Sequence, residues 1–210
     1  MKKRMFNDKF GLTYMVIQGK KTMTSDILLE IGAETELVGT NEKGEFEFRI
    51  GSNYETVAIK PKFKVGEVVA VAESYETLYD RDDWNYIDTP DLIDRWSNTP
   101  GWSNKMFVRS ELMPYQIRIK NVKCERLQQI SDEDCIKEGV VKFPKNFAKE
   151  KNIRNKFIYL TPGTKLCFDS ARDAFLPIVE KIFGRGTWEK NPYRIAYEFR
   201  PTKFEFTLIK

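Results

Sequence analysis

The sequence predicts an α+β protein built on a small mixed β-barrel with flanking helices, and three observations carry that prediction. Short β-type runs recur at 27–31, 46–50, 56–60, 67–72, 106–113, 115–127, 194–199 and 203–209, each bounded by turn formers. Helix signals are few and isolated. No strand–helix–strand rhythm of the kind that builds a parallel sheet connects them. The 210 residues suffice for one domain with its own core, and residues 1–210 read as a single domain.

Each element has a local cause. Phe10, Tyr14 and Ile17 recur at helical spacing and Gly19 can end the helix, which predicts a helix over 8–18. The β signals run from 27 to 72, with a hairpin turn at Asn41-Glu42-Lys43-Gly44. Acids with Pro90, Pro100 and Gly101 make 76–104 a long excursion holding a short helix that starts near Thr89-Pro90. Strand character returns at 106–113 and 115–127, where Ile117, Ile119 and Val122 mark a buried face. Ser131-Asp132-Glu133-Asp134 opens a helix in a capping-box-like way and Gly139 closes it. A second helix runs from about 170 to 183, before Gly184; Pro177 inside it predicts a kink or a later start.

Composition excludes much chemistry. The chain has no histidine, which removes Ser-His-Asp and Cys-His nucleophiles, histidine-containing zinc sites and imidazole acid–base catalysis. Cys124, Cys135 and Cys167 form no CxxC pair and read as buried free thiols in a reducing compartment. No cofactor and no metal are expected. No apolar stretch approaches the ~18 residues of a membrane span, and no apolar core follows Lys2-Lys3-Arg4 as in a signal peptide. A cytoplasmic protein is the expectation.

The net charge of +4 is unevenly spread. Residues 1–24 hold six bases (Lys2, Lys3, Arg4, Lys9, Lys20, Lys21) against Asp8, and 76–95 is acidic. In 141–168, Lys142, Lys145, Lys149, Lys151, Arg154, Lys156 and Lys165 are interleaved with Phe143, Phe147, Phe157 and Tyr159. Cations with rings suit a nucleic-acid strand, phosphates meeting the charges and bases stacking on the rings. A solvated basic loop anchored by core aromatics is the plainer alternative.

Gly19-Lys20-Lys21-Thr22-Met23-Thr24 follows the first helix, where glycine turns the chain and the next amides and hydroxyls can converge on an anion. It is not a Walker A loop, since the first glycine and the GK[ST] ending are missing. Further segments follow in order: 64–75, Leu112-Met113-Pro114, 122–131, Glu133-Asp134, Glu138-Gly139, 171–175, 186–193 and Tyr197-Glu198-Phe199. Together they resemble the ASCH domain family of the PUA-like superfold, most closely the subgroup common in bacterial prophage regions. The resemblance touches residues from about 10 to 200, with insertions near 25–63, 76–104 and 140–168.

That resemblance implies a small β-barrel with a helix-lined cleft that binds RNA, a nucleoside or a nucleotide. One branch of the family is an amidohydrolase that deacylates N4-acetylcytidine, using the lysine and second threonine of a GxKxxT segment and a later glutamate. Lys21, Thr24 and Glu138 match those positions. A threonine hydroxyl needs a base to take its proton, a desolvated lysine can supply one, and Glu138 could relay a proton to the leaving amine. The family pattern GxKxxTxR calls for arginine where this chain has Asp26, with Ser25 before it. Losing a cation weakens the expectation of an anion contact and of catalysis, and Asp26→Arg is expected to restore it. A third class is a phage accessory protein that binds another protein through 76–104.

Each candidate has a plainer role beside the functional one. Lys21 can be a solvated loop lysine, and Thr24 a turn cap or strand start. Glu138 beside a helix C-terminus needs a cationic partner or a task. The wider binding set is Lys20, Thr22, Glu73, Lys105, Arg109, Lys142, Lys145 and Trp188. Within it, Glu73 lines the cleft or pairs with a nearby cation, Lys105 and Arg109 bind or balance the acidic excursion, and Trp188 stacks on a base or, with Tyr193, closes the core.

Overall fold

Basic residues form a strand at one edge of the main sheet in the computed structural model, which describes residues 1–32, 34–51, 55–81, 90–144 and 157–203. β1 (Lys2–Arg4) is followed by a 3-10 turn, Asp8–Phe10, and α1 (Leu12–Ile17). Gly11, at φ 64°, separates turn from helix, so the continuous helix expected over 8–18 is broken. The break moves the buried face to Phe10, Leu12 and Val16 and leaves Tyr14 58% exposed.

β2 (Met23–Leu28), β3 (Thr35–Thr40), β4 (Phe46–Ile50), β5 (Glu55–Ile59) and β6 (Val68–Val71) come next. The β3–β4 turn falls where the sequence places it: the Asn41 side-chain oxygen accepts from the amides of Lys43 and Glu45, and Gly44 sits at φ 76°. α2 (Tyr75–Asp80) is capped by Ser74, and α3 (Pro90–Ser97) supplies the helix of the excursion. Residues 106–113 are not a strand but turns and a 3-10 segment, Ser110–Leu112. Met106 and Phe107 are both exposed, and the carbonyls of Met106 and Val108 accept from the Lys3 ammonium instead of a neighbouring strand.

β7 (Tyr115–Arg126) leads to α4 (Asp132–Lys137), capped by the Ser131 hydroxyl. β8 (Val141–Pro144), β9 (Phe157–Leu160) and β10 (Cys167–Phe168) precede α5 (Ala171–Phe183), α6 (Thr187–Lys190) and β11 (Tyr193–Lys203). α5 starts under a Ser170 cap and contains Pro177, so the later start is not taken. Proline removes one helical hydrogen bond, and burial of Ala174, Phe175, Ile178 and Val179 holds the helix together across it. The strand expected at 203–209 lies, apart from Lys203, outside the described residues.

The fold is α+β, and among the described residues its strands form three sheets. The main one has the order β1-β6-β7-β11-β2, with β1 parallel to β6 and the other pairs antiparallel; β10-β9-β8 and β3-β4-β5 are separate antiparallel sheets. Among the described residues no backbone ladder closes the five-stranded sheet into a barrel. Its two edge strands are nonetheless bridged by a side chain, because Arg4 of β1 bonds to Thr24, Ser25 and Asp26 of β2.

The sheet packs its inner residues, among them Val69, Ile117, Ile119, Ile195 and Tyr197, against α1, α4 and α5. Ala70, Ala72, Tyr75, Leu78, Val108 and Met113 form a second cluster under the excursion. Burial pushes the Cys124 and Cys135 thiols up to about 12, while Cys167, on a short strand, is exposed rather than buried. Among the described residues no helix is long and apolar enough to cross a membrane.

Candidate functional site

Gly19, at φ 67°, turns the chain inward after α1, and the amides of Lys20 and Lys21 both bond to the Met15 carbonyl. The Thr22 amide then bonds to the Lys137 carbonyl, 2.9 Å away, which ties this loop to the end of α4. Lys21 is consequently buried, 2% exposed, beside Glu138, 4% exposed, the C-cap of α4. Gly139 follows at φ 117°; a Cβ there would lie 2.9 Å from Leu12 and 3.7 Å from the Lys21 stem. Glycine thus lets the chain take this positive φ and pack closely against Leu12.

The Lys21 ammonium donates to the Glu138 carbonyl and, at 2.8 Å, to Glu138 Oε2. Glu138 Oε1 accepts from the Ser25 hydroxyl at 2.5 Å and from Arg194 Nη1 at 3.3 Å. Arg194 is fully buried; its Nη2 reaches Glu125 Oε1 at 2.6 Å, and Lys123 bridges Glu125 and Asp134 behind it. A carboxylate at a helix C-terminus is disfavoured by the helix dipole; here Lys21 neutralises the carboxylate and the terminal carbonyl together.

The charge states follow from this arrangement. Burial pulls the Lys21 pKa below its ordinary value of 10.5, aided by repulsion from Arg4 and Arg194 and opposed by Glu138. Burial alone would raise Glu138, but the charges of Lys21 and Arg194 and the hydrogen bonds from Lys21 and Ser25 outweigh it and hold the carboxyl below its ordinary 4.5. The proton that is loosened belongs to Lys21, because burial outweighs the one carboxylate beside it, whereas Glu138 has two cations to offset its own burial.

Across the sheet seam Arg4 pairs with Asp26 through Nη1, while Nη2 donates to the Thr24 hydroxyl at 3.0 Å and to the Ser25 carbonyl at 2.8 Å. A guanidinium therefore lies next to Thr24 even though residue 26 is an acid; the acid is what holds it. Asp26 pairs with Arg4, and Lys21 with Glu138.

These groups meet in a cavity of about 250 Å³. Arg4, Lys21, Thr24, Ser25 and Glu138 form its polar end, and α5 supplies an apolar wall of Phe175, Ile178, Val179 and Ile182. Lys21, Thr24 and Glu138 are thus brought together from positions up to 117 residues apart. The wider set is not. Lys20 is exposed, and Thr22 is held by backbone bonds to Lys137 and Phe199. Glu73 is buried in a two-pronged pair with Arg81, at 2.7 and 2.8 Å. Lys105 ties the Phe6 carbonyl to Asp8, and Arg109 is exposed with its amide on the Tyr75 hydroxyl. Trp188 packs against the main core, as does Tyr193. Lys142 lies 4.0 Å from the Phe157 ring centre and 6.0 Å from that of Tyr159, and Lys145 lies outside the described residues, as do 145–156 as a whole.

The basic N-terminal segment is largely consumed by internal partners. Lys2 pairs with Glu67, Lys3 with two carbonyls, Arg4 with Asp26 and Lys21 with Glu138. Arg4, Arg194 and the α5 wall were not among the sequence candidates. Neither arginine carried a signal beyond its charge, since Arg194 alternates with apolar residues just as Glu198 and Arg200 do in the same strand. Among the described residues, no group of three His, Cys, Asp or Glu side chains is placed to hold a metal. No family model, no curated protein and no solved structure matches the chain.

Proposed function

We propose that the chain is an ASCH-type protein of PUA-like fold whose cavity takes a nucleoside-sized ligand and hydrolyses an acyl amide on it. The observation that carries this reading is the convergence of the Thr24 hydroxyl, the buried Lys21 amine and the Glu138 carboxylate on one cavity. The bridge from Arg4 on β1 to β2 supports the barrel-like reading of the sheet, since it joins the two open edges. The cavity volume lies near the small end of ligand pockets, which favours a nucleoside over a polymer inside it.

The chemistry needs no metal or imidazole. Thr24 Oγ attacks the acyl carbon as its proton passes to uncharged Lys21; the carbonyl becomes an oxyanion. The intermediate collapses, the C–N bond breaks and the amine leaves with the proton from Lys21. Water then cleaves the Thr24 ester, releasing the acid and restoring the hydroxyl. Burial lowers the Lys21 pKa from its ordinary value, the direction that service as a base requires. Glu138, held ionised, serves better to aim Lys21 than to protonate the amine, and Arg4 steadies the Thr24 oxygen.

Turnover of N4-acetylcytidine by the purified protein tests this. Thr24→Ala should lower kcat on the order of 10³-fold or more, and Lys21→Met should do likewise, with each variant checked for folding by circular dichroism. Absent wild-type turnover, or activity retained in Thr24→Ala, would overturn the hydrolase.

A further inference from the structure

The cavity is built for more than an acetyl group. We propose that it holds an acyl chain of about four to six carbons, its carbonyl oxygen on Arg4 Nε beside Thr24 and its hydrocarbon arm along α5. This rests on the reading of the cavity as the site of acyl-amide cleavage and names the acyl class that it takes.

Two independent features point to such a ligand. The first is a donor without an acceptor. Asp26 takes Nη1 of Arg4, and Thr24 and the Ser25 carbonyl take Nη2, while Nε is buried with no hydrogen-bond partner among the described residues. A buried N–H without an acceptor is costly, and Arg4 lines the cavity. An oxygen bound at Nε would lie beside the Thr24 hydroxyl that shares the same guanidinium, as an attacked carbonyl must. The carboxylate product offers the same acceptor with a full charge.

The second feature is the length of the apolar wall. Phe175, Ile178, Val179 and Ile182 follow the i, i+3, i+4, i+7 spacing that makes one face of a helix, and all four line the cavity. That stripe runs about 10 Å at 1.5 Å per residue. An acetyl methyl covers a small part of it, whereas a chain of about four to six carbons covers most. Ile27 and Leu127 continue the apolar lining, and Ile182 at 39% exposure and Met5 at 44% mark the mouth.

The test compares N4-acetyl-, N4-butanoyl- and N4-hexanoylcytidine as substrates and, separately, acetate, butanoate and hexanoate as calorimetric ligands. On the proposal, kcat/KM and carboxylate affinity both rise about two- to fourfold per methylene. Ile182→Ser should flatten that rise, and Arg4→Gln should weaken hexanoate binding at least tenfold. Turnover that is equal or best on the acetyl compound would overturn the long acyl arm while leaving the hydrolase standing. Hexanoate binding with the expected length dependence, but no amide turnover, would remove the hydrolase and keep the acyl-binding cavity. Failure to bind carboxylates, with no turnover of any amide, would overturn both.

Discussion

Glu73 and Glu138 are both buried carboxylates, 3% and 4% exposed, and both are paired with a cation. Glu73 meets the two-pronged fork of Arg81, a planar match that uses both oxygens at once, and the Arg81 guanidinium also lies over the Tyr115 ring. Glu138 instead gathers three different donors, Lys21, Ser25 and Arg194, and it faces a cavity. The Glu73 pair is a closed structural clip. In the Glu138 cluster, a lysine is deprived of water and left competing with an arginine for one carboxylate. Burial and pairing therefore do not distinguish a site from a scaffold; a loosened proton beside open volume does.

The widest separation between the two carboxylates is expected in stability. Glu138→Ala leaves Lys21 and Arg194 buried around a missing charge and should cost about 3–5 kcal/mol. Glu73→Ala leaves a cation whose side chain is already 29% exposed to water and should cost less than about 2 kcal/mol. Urea unfolding of both variants measures the difference, and equal losses would dissolve the contrast. The Glu138 effect also has a pH signature. Its folded pKa lies below the unfolded one, so its stabilisation is complete above the ordinary 4.5 and fades as pH falls through the folded value. Lys21 acts in the opposite range: with its folded pKa depressed, the unfolded chain binds more protons between that value and 10.5, and stability rises with pH there. Lys21→Met should remove that alkaline rise.

The cavity's second ion pair sharpens the comparison with a smaller effect. The family resemblance alone expects Asp26→Arg to strengthen the site, because an arginine would return to its usual place. In the fold Asp26 holds Arg4 against Thr24, and a second guanidinium would drive Arg4 away. Asp26→Arg should therefore lower kcat/KM about 10- to 100-fold, the scale of a displaced positioning group, while Asp26→Asn, which keeps an acceptor oxygen, should lose less. A gain on Asp26→Arg would show that Arg4 is not the functional cation.

What the sequence made legible was local. The Asn41–Gly44 turn, the Ser131 cap, β7 and the glycine-ended loop before Lys21 each announce themselves within a few residues. Lys21, Thr24 and Glu138 came from motif order, which encodes a shared cleft without showing it. β1 was illegible because three charged residues have no periodicity, and their pairing with β6 joins Lys2 to Val69. Arg4 followed β1 into obscurity, since its meeting with Asp26 depends on how the sheet brings its edges together. β3 escaped because only Thr35 of its six residues is buried. Tyr14, at helical spacing, misled because Gly11 changes the phase just before it.

The smallest expected effect concerns the other face of the comparison, charge in solvent rather than charge in a core. Lys142 is exposed and sits over Phe157, itself 39% exposed, so ring and cation are available together. If single-stranded RNA follows this surface, its affinity falls with salt as counterions are released, by about 0.7 in logarithmic slope per neutralised phosphate. Lys142→Gln should reduce that slope by one such step, and adding Lys145→Gln, Lys149→Gln and Lys151→Gln should reduce it further. Lys2→Gln should leave it unchanged, because Lys2 is held by Glu67 and the Lys62 carbonyl. Binding measured by fluorescence anisotropy from low to physiological salt separates these cases. A slope that responds to Lys2 but not to Lys142 would place the RNA on the sheet edge, and a salt-independent signal would leave the cavity as the ligand site.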